Sequence, residues 1–94
     1  AAGRARALDP ASAEAAYNLG VALRGLERER EAIEPFEAAA RLEPAYVADC
    51  LAEIGAILAR TGDPAGARAK LDEALRLEPA HAAALRTRAA LDGH

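Results

Sequence analysis

The sequence contains no methionine and no tryptophan, and only one phenylalanine, two tyrosines, one cysteine and two histidines in 94 residues. Each scarcity removes a class of explanation. A lone Cys50 excludes an internal disulfide framework and favours a reducing, cytoplasmic compartment. It has no base or cation beside it in sequence, so it reads as a half-buried small residue rather than a nucleophile. His81 and His94 lack the i,i+4 spacing of a helical metal site, and no cysteine lies near either. Ser12 and Thr61 fall in turns, where capping explains them. No glycine-rich phosphate loop and no nucleophile motif is present, so neither an enzyme active site nor a cofactor is expected. The net charge is −3, with acids and bases interspersed, unlike the basic face of a nucleic-acid reader. No apolar run approaches the roughly 18 residues of a membrane span. With no methionine and no signal peptide, the sequence is expected to begin inside a longer chain.

What the sequence does have is alanine and periodicity. The hydrophobic fraction is 52%, but much of it is alanine, and the large apolar residues are few. Leu19, Leu23, Ile33, Phe36, Leu42, Leu51, Ile54, Leu58, Leu71, Leu75 and Leu77 are the expected core, and Leu85 fits the same pattern. The stretch from Ala13 to Pro44 recurs in altered form from Ala48 to Pro79. Gly20 aligns with Gly55, Leu23 with Leu58, Ala32 with Ala67, Ala39 with Ala74 and Pro44 with Pro79, each pair 35 positions apart. Self-similarity at such a period marks stacked supersecondary units, each too small to bury its apolar face alone. Leu8-Asp9-Pro10 matches the close of a repeat at a spacing of 34, so one extra residue falls near Tyr46 or Val47.

Local punctuation divides the chain into helices. The first is expected from Ala13 to Leu26, capped by Ser12, with Glu14 early and Arg24 late to suit the helix dipole. The second runs from Arg28 to Leu42, with Glu29 and Glu31 at its start. Pro35 lies past its first turn and predicts a local kink. The third spans Val47 to Arg60. Gly62 is read as a left-handed exit, Asp63 as the next cap and Pro64 as the first helical residue of a helix ending near Leu77. Glu37–Arg41 and Asp72–Arg76 are candidate i,i+4 pairs. Residues 81–91 open a third unit, in which Arg88 stands where a leucine is wanted and predicts a wet outer face.

The residues at these spacings resemble the tetratricopeptide repeat: Leu19-Gly20, Ala32, Phe36, Ala39 and Pro44 in one copy, and Leu51, Ile54-Gly55, Ala67, Leu71, Ala74 and Pro79 in the next. The resemblance implies an all-α fold of antiparallel helix pairs stacked as a right-handed superhelix. Residues 1–10 would close a preceding repeat, 13–46 and 48–81 would form two repeats, and 82–94 would form a C-terminal capping helix. Gly20 should pack near Ala32, and Gly55 near Ala67.

The resemblance also implies a protein-interaction scaffold whose first helices line a concave groove. The peptide-binding residues would be Glu14, Tyr17, Asn18, Val21 and Arg24 on the first helix, with Asp49, Ala52, Glu53, Ala56 and Arg60 on the third. Arg86 and Thr87 would extend this wall. Tyr17 has two readings, a groove residue facing Ala52 and Ala56 or a packing residue between helices. The arginines are expected on one side of the groove and Glu14, Asp49 and Glu53 on the other. The basic clamp that some family members use on acidic chaperone tails is absent, because Glu14, Tyr17, Val21, Asp49 and Glu53 occupy its places. Two alternatives stand beside the scaffold: self-association through the apolar N-terminal edge into a homo-oligomer, and an accessory domain of a larger enzyme such as a glycosyl- or sulfotransferase.

Overall fold

The computed structural model describes residues 12–93, an array of five α-helices without a strand among those residues. They are α1 (Ala13–Gly25), α2 (Glu29–Leu42), α3 (Val47–Arg60), α4 (Pro64–Leu77) and α5 (Ala82–Asp92), with a short 3-10 turn at Pro44–Tyr46. The expected preceding repeat at residues 1–10 lies outside the described residues. Helix α1 pairs with α2 and α3 with α4, while α3 also packs on α2 and α5. No helix among the described residues is long and apolar enough to cross a membrane.

The helix ends follow the local chemistry. The Ser12 hydroxyl accepts from the Ala15 amide at 3.4 Å, and the Asp63 carboxylate accepts from the Gly66 amide at 2.9 Å. Both satisfy amides that a helix start otherwise leaves free. Gly62 has φ +95°, the left-handed exit that a residue without Cβ adopts freely. The α1–α2 turn instead places Glu27 at φ 64°, and its sequence carries no signal of that. Helix α2 has no side-chain cap and contains Pro35, yet it is one unbroken helix from Glu29 to Leu42. Helix α3 is one residue longer than α1, 14 against 13, and the extra residue enters at its N-terminal end.

The core consists of two clusters on either side of α3. The first gathers Ala16, Ala32, Phe36, Ala39, Cys50, Ile54 and Ile57, and the second Leu51, Ala52, Leu71, Ala74 and Ala84. Phe36, Leu51, Ile54 and Leu71 are buried as expected, and Leu23, Ile33, Leu58 and Leu75 are half-buried. Leu19, Leu42, Leu77 and Leu85 are instead about half exposed or more, because none of the described helices covers the faces they occupy. Ile57 and Cys50 are fully buried, the cysteine more deeply than its sequence context implied. Burial pushes the Cys50 thiol up to about 11, helped by the negative charges of Asp49 and Glu53.

Two ion-pair expectations are also corrected. Among the described residues no Glu37–Arg41 or Asp72–Arg76 bridge forms. Asp72 reaches across to Arg88 of α5, which also lies 3.5 Å from Asp92. Arg88 therefore ties α5 to α4 rather than standing in water. The Gly55 crossing does involve Ala67, whose carbonyl oxygen lies 3.3 Å from where a Cβ would sit. At the first crossing a Cβ added to Gly20 would lie 2.8 Å from the Phe36 ring, the counterpart of Leu71 at the second.

Candidate functional site

Only one helix of each pair contributes to the groove that joins the sequence-predicted residues. Tyr17 and Arg24 come from α1; Asp49, Ala52, Glu53 and Ala56 from α3; His81, Ala83, Arg86 and Thr87 from α5 and its cap. The groove has a volume of about 410 Å³. This layout follows from helical periodicity, which places residues three and four apart on one face. Seven of the eleven residues expected on the wall meet here: Tyr17, Arg24, Asp49, Ala52, Glu53, Ala56 and Arg86.

The other four lie elsewhere. Glu14 and Asn18 are exposed on α1 outside this lining. Val21 packs against the first core cluster. Arg60 is outside this lining, and its Nε donates to Glu29 at 2.5 Å.

Tyr17 is both a packing residue and a groove residue. Its ring meets Phe36 edge-on at 5.3 Å and Tyr46 at 5.5 Å. These three are all the aromatic residues the chain has. Such contacts add roughly 0.5–1.5 kcal/mol per pair beyond burial, so the ring is fixed in place. Its hydroxyl emerges in the groove and donates to Glu53 at 3.4 Å. Burial raises the Tyr17 pKa, and the nearby charge of Glu53 adds to the effect. The phenol therefore stays a neutral donor through the physiological range.

Electrostatics within the groove differ from the expected two-sided arrangement. The Arg24 guanidinium is bonded to the Glu53 carboxylate, which bridges α1 and α3. Asp49 is paired with His81 at 2.6 Å, which bridges α3 and α5. Arg24 and Glu53 thus neutralise each other, while Asp49 is held by a hydrogen bond with the His81 ring. Arg86 is the groove cation with no ion-pair partner among the described residues.

His81 is, with Ala83, a lining residue that sequence reasoning missed. Its Nδ1 accepts from the Ala84 amide at 3.2 Å, capping α5. That bond leaves the ring proton on Nε2, which donates to Asp49. The available signal was position: His81 directly precedes a helix start, where an acceptor is wanted, and an imidazole can be that acceptor. Thr87 donates to the Ala83 carbonyl at 3.0 Å. Among the described residues no cluster of three His, Cys, Asp or Glu side chains gathers to hold a metal ion.

Comparison with known proteins gives two findings. Residues 13–46 match the model of the tetratricopeptide repeat. The chain is also similar to Protein FlbA of Caulobacter vibrioides, 42% identical over 80 residues, which is 85% of this chain and 13% of FlbA. The chain thus spans about an eighth of that relative's length.

Proposed function

We propose, from the premise that this chain belongs to the tetratricopeptide-repeat family, that it holds an extended peptide of a protein partner in the groove along α1, α3 and α5. Repeats of this family are protein-interaction scaffolds in general and typically carry no catalysis of their own. The observation that carries the finer reading is the lining: three successive first helices supply the wall, and no residue of α2 or α4 enters it. Stacked repeats build extended binding surfaces in this way. Small side chains at Ala52, Ala56 and Ala83 leave room beside a fixed tyrosine whose hydroxyl, donated to Glu53, can still accept a hydrogen bond. The neighbouring Arg24–Glu53 ion pair and Asp49–His81 hydrogen bond tie the three helices together across the groove.

Affinity in such a groove comes chiefly from apolar contact, since exposed charge pairs contribute only about 0–1 kcal/mol each. A second reading rests on the FlbA match, which covers 13% of that protein: this unit then serves as an accessory interaction domain of a long chain.

A photo-crosslinking amino acid placed at Thr87, compared with one at Glu73 on α4, tests the proposal. Partner adducts should form from position 87, and Tyr17→Ala should weaken binding with folding retained. Adducts confined to position 73, or unchanged affinity in a folded Tyr17→Ala protein, would remove the groove from consideration.

A further inference from the structure

The groove does not end at Ala56. A second concavity, also of about 410 Å³, is lined by Ala56, Ala59, Arg60, Thr87, Ala90 and Leu91, together with Arg86. It shares Ala56, Arg86 and Thr87 with the first, so the two are one channel between α3 and α5. Asp49 to Arg60 covers roughly 16 Å of helix at the usual rise, enough for about five residues of extended peptide.

The two ends of the channel differ in chemistry. The part of the channel around Asp49 and Glu53 is polar and internally paired, through Asp49–His81 and Arg24–Glu53. At the other end Ala59, Ala90 and Leu91 present apolar surface, and the one cation there, Arg60, is already bonded to Glu29. Arg86 stands at the junction with no ion-pair partner among the described residues. It is the charge left available to a ligand, and no carboxylate of the channel is free in the same way: Asp49 and Glu53 both have partners.

We infer that the channel is selective for a peptide segment carrying an acidic side chain next to an aliphatic one, the acid against Arg86 and the aliphatic group in the Ala59–Ala90–Leu91 end. This rests on the groove reading above and specifies its ligand. The argument is one of complementarity. A basic side chain at the junction would meet Arg86 as a like charge, and a polar side chain at the apolar end would lose its water without gaining a partner. The peptide source implied is a disordered or extended segment of a protein, since the channel's length matches about five extended residues.

A display library of random octapeptides, selected on the full 94-residue chain, tests this directly. Wild type should enrich peptides with Asp or Glu adjacent to Leu, Ile or Val. Arg86→Glu should weaken a selected peptide by roughly tenfold and shift the enriched charge from acidic to basic. Ala90→Arg, at an exposed position, should remove the aliphatic preference while leaving the melting temperature unchanged. Enriched peptides without the acidic–aliphatic pattern, or a pattern unaffected by Arg86→Glu, would overturn this inference and leave groove binding intact. Enriched peptides that still bind after both substitutions and crosslink to α2 or α4 would overturn both.

Discussion

The two helix pairs carry nearly the same pattern, and the structure treats them differently. In α3 seven residues are buried, from Ala48 to Ile57. In α1 only Ala16 and Gly20 are. The aligned positions make the contrast concrete: Ile54 is 2% exposed, and its counterpart Leu19 is 52% exposed. Ile57 is fully buried, and its counterpart Ala22 is exposed. Helix α3 is held by α2, α4 and α5, whereas α1 rests chiefly on α2. Burial in a stacked repeat is thus set by which neighbours exist, and the same apolar stripe is core in one copy and surface in the next.

The comparison breaks most sharply if the two aligned positions respond alike. Ile54→Ala should destabilise by about 2–5 kcal/mol, the range for removing a buried aliphatic side chain. Leu19→Ala removes a half-exposed one and should cost about 1 kcal/mol. Urea unfolding of both variants measures the difference, and equal losses would mean that α1 is covered as fully as α3.

A second test concerns the glycine crossings. A Cβ at Gly55 would lie 2.8 Å from Leu71 and 3.3 Å from the Ala67 carbonyl oxygen, so it meets both a side chain and backbone. At Gly20 the three atoms nearest such a Cβ all belong to the Phe36 ring. Gly55→Leu should cost roughly 1–3 kcal/mol through overpacking. Gly20→Leu should cost less, because among the described residues α1 is held chiefly by α2 while α3 is fixed from three directions. Melting temperatures of the pair decide the order.

What could be read from the sequence follows the same division. Helix limits were legible to within about one residue because they depend on local chemistry: Ser12, Gly62, Asp63 and Pro64 act on amides and dihedrals close by. The stripes on α1 and α3 were legible because helical periodicity fixes them. Contacts between helices were not, since they depend on register across the stack. Nothing local in the sequence pairs Arg24 with Glu53, His81 with Asp49, or Asp72 with Arg88. The exposed leucines escaped for a related reason: a pattern shows which face is apolar, but not whether a neighbour covers it. Alanine hid part of the core as well, since Ala32, Ala39, Ala67 and Ala74 are fully buried where backbones approach.

Caps offer a smaller and more local contrast. Helices α4 and α5 are capped by Asp63 and His81, whereas α2 begins at Arg28 with no side-chain cap. Asp63→Ala and His81→Ala should each cost about 1 kcal/mol. His81→Asn should recover most of the loss, because asparagine is a strong cap even without the bond to Asp49. Thermal unfolding compares the three variants, and a His81→Asn protein no better than His81→Ala would assign the stabilisation to the Asp49 contact instead.

The smallest effect reads the seam between the two pairs through a proton. Cys50 lies in α3 beneath α2, fully buried, while its aligned counterpart Ala15 is only half-buried. Burial raises the thiol to about 11 in the folded chain, against about 8.5 for an unfolded cysteine. Above the unfolded value the unfolded state gives up its proton while the folded state keeps it, so the unfolded state binds fewer protons and stability falls as pH rises. The contribution is complete below about pH 8.5 and is lost as pH climbs toward about 11. Urea midpoints should therefore decline over that window in wild type, and the decline should be shallower in Cys50→Ala, which has no thiol to ionise. The same burial predicts that a thiol reagent at pH 8 modifies the native protein far more slowly than the unfolded one. Rapid native-state modification together with identical pH slopes for wild type and Cys50→Ala would mean that the α2–α3 seam opens readily, and that α3 is not the securely held helix the comparison makes it.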